Sequence, residues 1–156
     1  MWDITNVYTN FSRTLNHFGK YNGKYNLNDY HPHNYIQNTA TLPEKLEAFN
    51  ILSAASIYLT YQSLIDVNRP QEDANWQYFS GNNKIAWKTG TSFGFRDAWA
   101  VGSTPKYVVG VWVGNADGEG RPGLTGIGAA APLLFDIFDL LPNDKWFTPP
   151  FDELAK

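Results

Sequence analysis

The chain has 156 residues, 43% of them hydrophobic, which is enough for one globular domain with a packed core. Its 12 basic and 15 acidic residues give a formal net charge of −3, which argues against nucleic acid as a partner. The absence of cysteine excludes disulfides, thiol nucleophiles and cysteine-ligated metals. We find neither an apolar run long enough to cross a bilayer nor the basic and apolar pattern of a signal peptide.

The first half of the chain predicts helices. Apolar residues recur at helical spacing over Trp2–Phe18, and Asn22-Gly23 is a two-residue turn signal that predicts a small hairpin. A second helix is predicted to begin at Thr41-Leu42-Pro43-Glu44, because threonine caps helices and proline and glutamate suit a first turn. Ser53 is the predicted cap of a third helix, which Asn68-Arg69-Pro70 ends.

The second half predicts strands followed by a helix. Lys84–Ser92, Ala98–Ser103 and Lys106–Gly114 are rich in β-branched and aromatic residues and have short connections, which predicts an antiparallel meander. A closing helix is predicted over Ala129–Leu141. We therefore expect an α+β fold in which helices pack on an antiparallel sheet.

The segment Lys88-Thr89-Gly90-Thr91 has the residues of a binding edge. On a strand, Lys88 and Gly90 share one face, while Thr89 and Thr91 share the other. Glycine lets a second backbone approach, so an extended peptide can pair with an exposed edge through main-chain hydrogen bonds. The lysine ammonium favours a carboxylate or lowers a neighbour's pKa, and the threonine hydroxyls can donate to a carboxylate.

The sequence around this segment carries a family resemblance. It reads Trp87-Lys88-Thr89-Gly90-Thr91-Ser92-x-Gly94-x-Arg96-Asp97-Ala98-Trp99-Ala100-Val101-Gly102, followed by Tyr107-Val108-Val109-Gly110-Val111-Trp112-Val113-Gly114-Asn115. This sequence closely resembles the class A penicillin-binding proteins, especially their one-C type. The resemblance implies a partial serine β-lactamase/transpeptidase-like fold. It also implies that residues 1–142 are the C-terminal portion of a transpeptidase domain and that 143–156 are a tail or a linker.

The resemblance further implies a D,D-transpeptidase that cross-links peptidoglycan. In that family a serine attacks the penultimate D-alanine carbonyl of a stem peptide, an amine resolves the acyl-enzyme, and β-lactams acylate the same serine. By match to the Lys-Thr-Gly motif, Lys88, Thr89, Gly90 and Thr91 bind the substrate, and the Thr91 N–H is an oxyanion donor. The resemblance places the parent protein at the periplasmic, extracytoplasmic face of the inner membrane, and we expect no cofactor.

The sequence departs from the family pattern at the other two motifs, Ser-x-x-Lys and Ser-x-Asn. We expect the chain to lack the Ser-x-x-Lys nucleophile, to contain no catalytic residue and to be inactive alone. Ser80-Gly81-Asn82 matches Ser-x-Asn but lies too near Lys88 and is interpreted as a turn, while Tyr8-Thr9-Asn10 is interpreted as packing. The alternative is a non-catalytic module that binds peptidoglycan or a partner through the same strand edge.

Other constellations favour structure over chemistry. The histidines at positions 17, 31 and 33 have no acidic cluster beside them, so we expect solvated surface and no metal site. Arg96-Asp97 predicts an ion pair or an aspartate turn cap. An incomplete sheet exposes an edge and apolar surface, which favours self-association.

Overall fold

The structure, a computed structural model, describes residues 1–35, 43–68 and 84–155. Its helices and strands, in chain order, are α1 (Trp2–Lys20), β1 (Tyr25–Asn26), β2 (Leu46–Glu47), α2 (Ala54–Ile65), β3 (Ala86–Thr91), β4 (Asp97–Ser103), β5 (Val108–Gly114), α3 (Ala131–Asp139) and α4 (Phe151–Leu154). The predicted α+β class with antiparallel sheets is confirmed. Within the described part of the chain, no helix is both long and apolar enough to span a bilayer.

The main sheet has the order β3-β4-β5, and both pairings are antiparallel as the meander predicted. Lys88 lies opposite Val101 and Gly90 lies opposite Trp99. Within the described ranges β3 is paired with β4 alone, so β3 is an edge strand of this sheet. Helices cover both faces, with α3 on one side and α1 with α2 on the other.

The face of the sheet that meets α3 forms a dense apolar core. Trp87 is fully buried and packs edge-to-face on Phe135 with ring centroids 4.9 Å apart. Phe138 is 2% exposed, and a Cβ added to Gly102 would lie 2.7 Å from Phe138 Cε2. Glycine on β4 therefore lets the helix approach the sheet this closely.

A buried cluster of hydroxyls joins α1, α2 and β4 on the opposite face. Ser12 Oγ lies 2.7 Å from Ser103 Oγ and 3.1 Å from the Tyr61 hydroxyl, and Tyr61 donates to the Tyr8 carbonyl at 2.9 Å. Burial raises the pKa of the Tyr61 phenol, with the Ser103 and Ser12 hydroxyls acting in the opposite direction. The phenol therefore stays neutral, and its hydrogen bonds link α1 and α2 to β4.

The third predicted helix is confirmed, because α2 begins after Ser53, whose side chain accepts from the Ser56 N–H. The helix predicted from Thr41 is wrong where the structure describes it. Leu46–Glu47 form β2, which pairs with β1. The side chains of Phe49 and Ile51 are 86% and 85% exposed, so they are not the buried face of a helix. Thr41 and Leu42 themselves lie outside the described residues.

The predicted hairpin at Asn22-Gly23 is also wrong, although the turn is there. Both residues have positive φ, 52° and 81°, as that dipeptide favours. They end α1 rather than joining two strands, because Gly23 N–H donates to the Phe18 carbonyl at 3.0 Å in the manner of a Schellman motif.

The segment after α3 folds back onto α1 and α2. Phe147 is 5% exposed and its ring centroid lies 5.6 Å from that of Tyr61. Glu153 accepts from the Tyr25 hydroxyl at 2.5 Å and from the Ala55 N–H at 3.1 Å. The division of the chain at residue 142 stays a prediction.

Replacing Phe138 with alanine should lower the free energy of unfolding by about 3–5 kcal/mol, because the lost side chain leaves a cavity between α3 and the sheet. Phe93→Ala is the matched control, since Phe93 is 96% exposed and its loss should cost under about 0.5 kcal/mol. Urea unfolding of both variants checks this. Equal costs would contradict the packing described for α3.

Candidate functional site

The edge of β3 presents backbone groups outward. In an antiparallel ladder, opposed residues alternate between pairs that exchange hydrogen bonds and pairs that do not. Ser92 N–H donates to the Asp97 carbonyl at 3.0 Å, so Gly90 is the next residue that exchanges bonds with β4. Thr89 and Thr91 therefore turn their N–H and C=O groups away from β4. These are the groups that an added extended peptide would use.

A cavity of about 330 Å³ opens between α1 and this edge, and we call it the β3 cavity. Its lining residues come from α1, β3 and the following turn, and β4: Ile4, Tyr8, Lys88, Thr89, Gly90, Thr91, Ser92, Trp99 and Val101. Burial raises the pKa of the Tyr8 phenol, so this wall stays uncharged at neutral pH. The cavity thus combines an apolar helix wall with the polar edge of a strand.

Lys88 lies at the exposed side of the β3 cavity. Its Nζ donates to the Thr89 carbonyl at 2.8 Å, which keeps the ammonium beside the outward backbone groups. A Cβ added to Gly90 would meet only Trp99 Cβ within 4 Å, at 3.8 Å. The structure therefore brings the ammonium and an open glycine together on one face, as the sequence predicted.

The loop that leads into α3 contacts the side chain of Thr91. Thr91 Oγ1 accepts the Gly126 N–H at 2.9 Å. Gly126 begins a five-residue π-helix, Gly126–Ala130, and is itself buried. Single π-turns are frequent at functional sites. Gly126 lies 35 residues after Thr91, and nothing in the sequence pattern links it to the site.

The turn after β3 is tightly shaped. Gly94 and Phe95 both have positive φ, 74° and 55°, and the Arg121 N–H donates to the Phe95 carbonyl at 3.0 Å. Asp97 Oδ1 accepts the Trp112 indole N–H at 2.8 Å, and this bond lowers the pKa of the Asp97 carboxyl. The Ser92 hydroxyl lowers it further, and the Arg96 charge adds a smaller effect in the same direction. Asp97 thus has a hydrogen-bonding role at this turn.

Sequence reasoning missed the helix wall of the cavity. The Tyr8-Thr9-Asn10 segment was interpreted as packing, and Asn10 is indeed 8% exposed, but Tyr8 lines the cavity. The signal available was the spacing of Ile4 and Tyr8, four residues apart on one helix face. The segment Ser80-Gly81-Asn82 lies outside the described residues.

The expectation of no Ser-x-x-Lys needs a correction, because Ser103-Thr104-Pro105-Lys106 matches the pattern. Ser103 is fully buried in the hydroxyl cluster with Ser12 and Tyr61. Lys106 Nζ is instead 3.2 Å from Asp144. The serine and the lysine of this match therefore face different partners, and neither lines the β3 cavity.

The three histidines are engaged with neighbouring side chains. His17 Nδ1 lies 2.5 Å from Asp29 Oδ1, and His33 Nε2 lies 3.3 Å from Thr9 Oγ1. Burial raises the pKa of the Asp29 carboxyl, and the His17 hydrogen bond opposes this shift. No group of three metal-ligating side chains occurs within residues 1–35, 43–68 and 84–155.

Comparison with known proteins finds relatives of this chain. The chain is 35% identical to penicillin-binding protein 1C of Escherichia coli (strain K12) over 91 residues, which are 58% of this chain and 11% of that protein. It is 39% identical to penicillin-binding protein 1A of Aquifex aeolicus (strain VF5) over 72 residues, 42% of this chain and 10% of that protein. It is 31% identical to penicillin-binding protein 1A of Clostridium botulinum (strain Langeland) over 99 residues, which are 62% of this chain and 11% of that protein.

These relatives confirm the resemblance, and the chain is homologous to the class A penicillin-binding proteins. Within that class, the Escherichia coli relative supports the one-C type. The chain spans about a tenth of the length of the curated relatives it matches. No family model matches the chain, and no solved structure matches it.

Replacing Trp112 with phenylalanine should raise the pKa of Asp97 toward its ordinary value, because the indole N–H donor is lost. The folded pKa in the wild type is lowered. The Asp97 carboxylate therefore stabilises the folded protein above its unfolded pKa, and this stabilisation is lost as pH falls through its folded pKa. A carbon-detected NMR titration of Asp97 checks the shift, with Asp136 as a reference carboxyl in the same sample. An unchanged Asp97 titration in the variant would contradict the bond.

Proposed function

We propose that this chain supplies one wall of the donor site of a peptidoglycan D,D-transpeptidase. The observation that supports this most is the position of Lys88 beside the outward backbone groups of Thr89 and Thr91, at the rim of the β3 cavity. That arrangement suits an extended peptide that ends in a carboxylate. The names of the relatives, all penicillin-binding proteins, agree with this class of site.

The proposed reaction assigns a separate role to each group. A stem peptide pairs with the free edge of β3, and Lys88 with the threonine hydroxyls receives its terminal carboxylate. A serine on another part of the polypeptide attacks the penultimate D-alanine carbonyl. The Thr91 N–H stabilises the oxyanion, and terminal D-alanine leaves with a proton. An amine of a second stem peptide then attacks the ester, forming the cross-link and regenerating the serine.

The cellular setting follows from the same proposal. Peptidoglycan is cross-linked outside the cytoplasm, so on this proposal the whole protein acts at the periplasmic, extracytoplasmic face of the inner membrane. β-Lactams bind in the place of the stem peptide and acylate the same serine. Lys88, Thr89, Gly90 and Thr91 are then the substrate-binding residues that this chain contributes.

A second candidate function is a non-catalytic module that binds peptidoglycan peptide through the same edge. One observation favours it: Ser92, which lines the β3 cavity, accepts the Asp97 N–H at 2.8 Å and has Phe95, not lysine, three residues later. Peptide binding without acylation by the whole protein would select this function.

We expect a labelled penicillin to form a covalent adduct with the full-length protein and none with the 156-residue chain. In the full-length protein, Lys88→Ala should slow adduct formation roughly 100-fold, since it removes the positive group that receives the carboxylate of the penicillin. Fluorescence on a denaturing gel, followed over time, measures this rate.

Lys84→Ala is the matched control, because Lys84 is an exposed lysine just before the same strand. Its rate should equal that of the wild type. Equal slowing by the two substitutions would contradict the donor-site role of Lys88. An adduct on the isolated chain would show that the chain carries its own nucleophile.

A further inference from the structure

The contact between Gly126 and Thr91 joins a buried loop to the exposed edge of β3. The Gly126 N–H donates to Thr91 Oγ1 at 2.9 Å, while Thr91 itself is exposed and lines the β3 cavity. Thr125 fixes the start of the same turn by accepting from the Gly128 N–H at 3.2 Å. The Thr91 hydroxyl is therefore anchored to fixed backbone, on an exposed residue of the free edge of β3.

The loop lies so close to the sheet that only glycine fits at position 126. A Cβ there would be 2.5 Å from the Gly90 carbonyl oxygen, 2.7 Å from the Trp99 carbonyl oxygen and 2.8 Å from Thr89 Cβ. Real Cβ atoms essentially never approach other atoms within 3.0 Å. The crowding atoms belong to the backbone and a Cβ, so they cannot swing aside as the end of a flexible side chain would.

The direction of this hydrogen bond decides what the hydroxyl can offer a ligand. A threonine hydroxyl has one hydrogen and two lone pairs. Because Thr91 Oγ1 accepts from the Gly126 N–H, its own hydrogen turns away from that N–H. Hydrogen bonds in a chain polarise one another, so the hydroxyl also becomes a stronger donor.

We propose that Gly126 is a positioning residue, which orients the Thr91 hydroxyl as a hydrogen-bond donor to the carboxylate of a peptide or β-lactam bound along the free edge of β3. The inference rests on the proposed function, since it requires such a ligand. It goes further by assigning a role to a residue outside the Lys88–Thr91 segment. Gly126 acts through Thr91 and does not touch the ligand.

The first experiment measures acylation of the full-length protein by a labelled penicillin and by the methyl ester of the same compound. Thr91→Val keeps the shape but removes the hydroxyl, and it should slow acylation by the free acid roughly 10- to 100-fold, as expected for a lost hydrogen bond to a charged group. The ester should be affected far less. Thr91→Ser restores the hydroxyl and should recover most of the rate.

Gly126→Ala should likewise slow acylation by the free acid more than acylation by the ester. Its effect should shrink when Val replaces Thr91, because the two changes remove one interaction. Gly19→Ala is the matched control, since a Cβ at Gly19 meets nothing within 4 Å. Equal losses for the free acid and the ester, or fully additive effects of the two substitutions, would overturn the role of Gly126.

A second measurement does not depend on the folding of Gly126→Ala. Thr91→Val removes the acceptor of the Gly126 N–H, so amide hydrogen exchange at Gly126 should speed up in the full-length variant, and Thr91→Ser should restore the slow exchange. Unchanged exchange overturns the inference. The proposed function fails separately, if the wild-type full-length protein is not acylated at all.

Discussion

Hydrogen bonding of β3 to one neighbour only is the constraint on which the site depends. Within the described chain, β4 takes the bonds of alternate β3 residues, and those of Thr89 and Thr91 are turned outward. A second strand on that side would use the same groups and close the cavity. The register is in turn fixed by the buried face, where Trp87 packs on Phe135. Core packing thus determines which backbone groups are offered to a ligand.

Helix α1 serves both the core and the cavity. Its inner residues, such as Leu15 and Phe18, are buried against α2, while Ile4 and Tyr8 near its start form the cavity wall. The hydroxyl cluster of Ser12, Tyr61 and Ser103 sits between these two regions and ties the helix to β4. The position of the wall relative to β3 is therefore set by buried polar bonds, which are more directional than apolar contacts.

The sequence predicted well those features whose determinants are local. The strands of the meander are joined by short turns, and Ser53 caps α2 within one turn of helix. The helix expected from Thr41 failed because Leu46–Glu47 pairs with Tyr25–Asn26, a contact that local periodicity does not encode. Local pattern placed the proposed substrate-binding residues on one strand but could not show that α1 lies beside that strand.

The Ser103-x-x-Lys106 match is visible in the sequence, but its role cannot be judged from the sequence alone. A four-residue motif carries meaning only in its structural context, and here the context is a buried serine at the end of β4 and a lysine in the following turn. The contact between Gly126 and Thr91 spans 35 residues and depends on the absence of a side chain. Sequence alone records that glycine but not what it touches.

The bond between Tyr25 and Glu153 has a consequence for biosynthesis. These residues are 128 positions apart, so the bond cannot form until Glu153 has been synthesised. Ala54 and Ala55, at the start of α2, donate to the same pair through their backbone N–H groups. The Ala55 N–H in the first turn of α2 therefore gains its acceptor only after Glu153 of α4 has been made. A ribosome-bound nascent chain that stops before Glu153 would leave this N–H without that partner and the first turn of α2 more open to proteases.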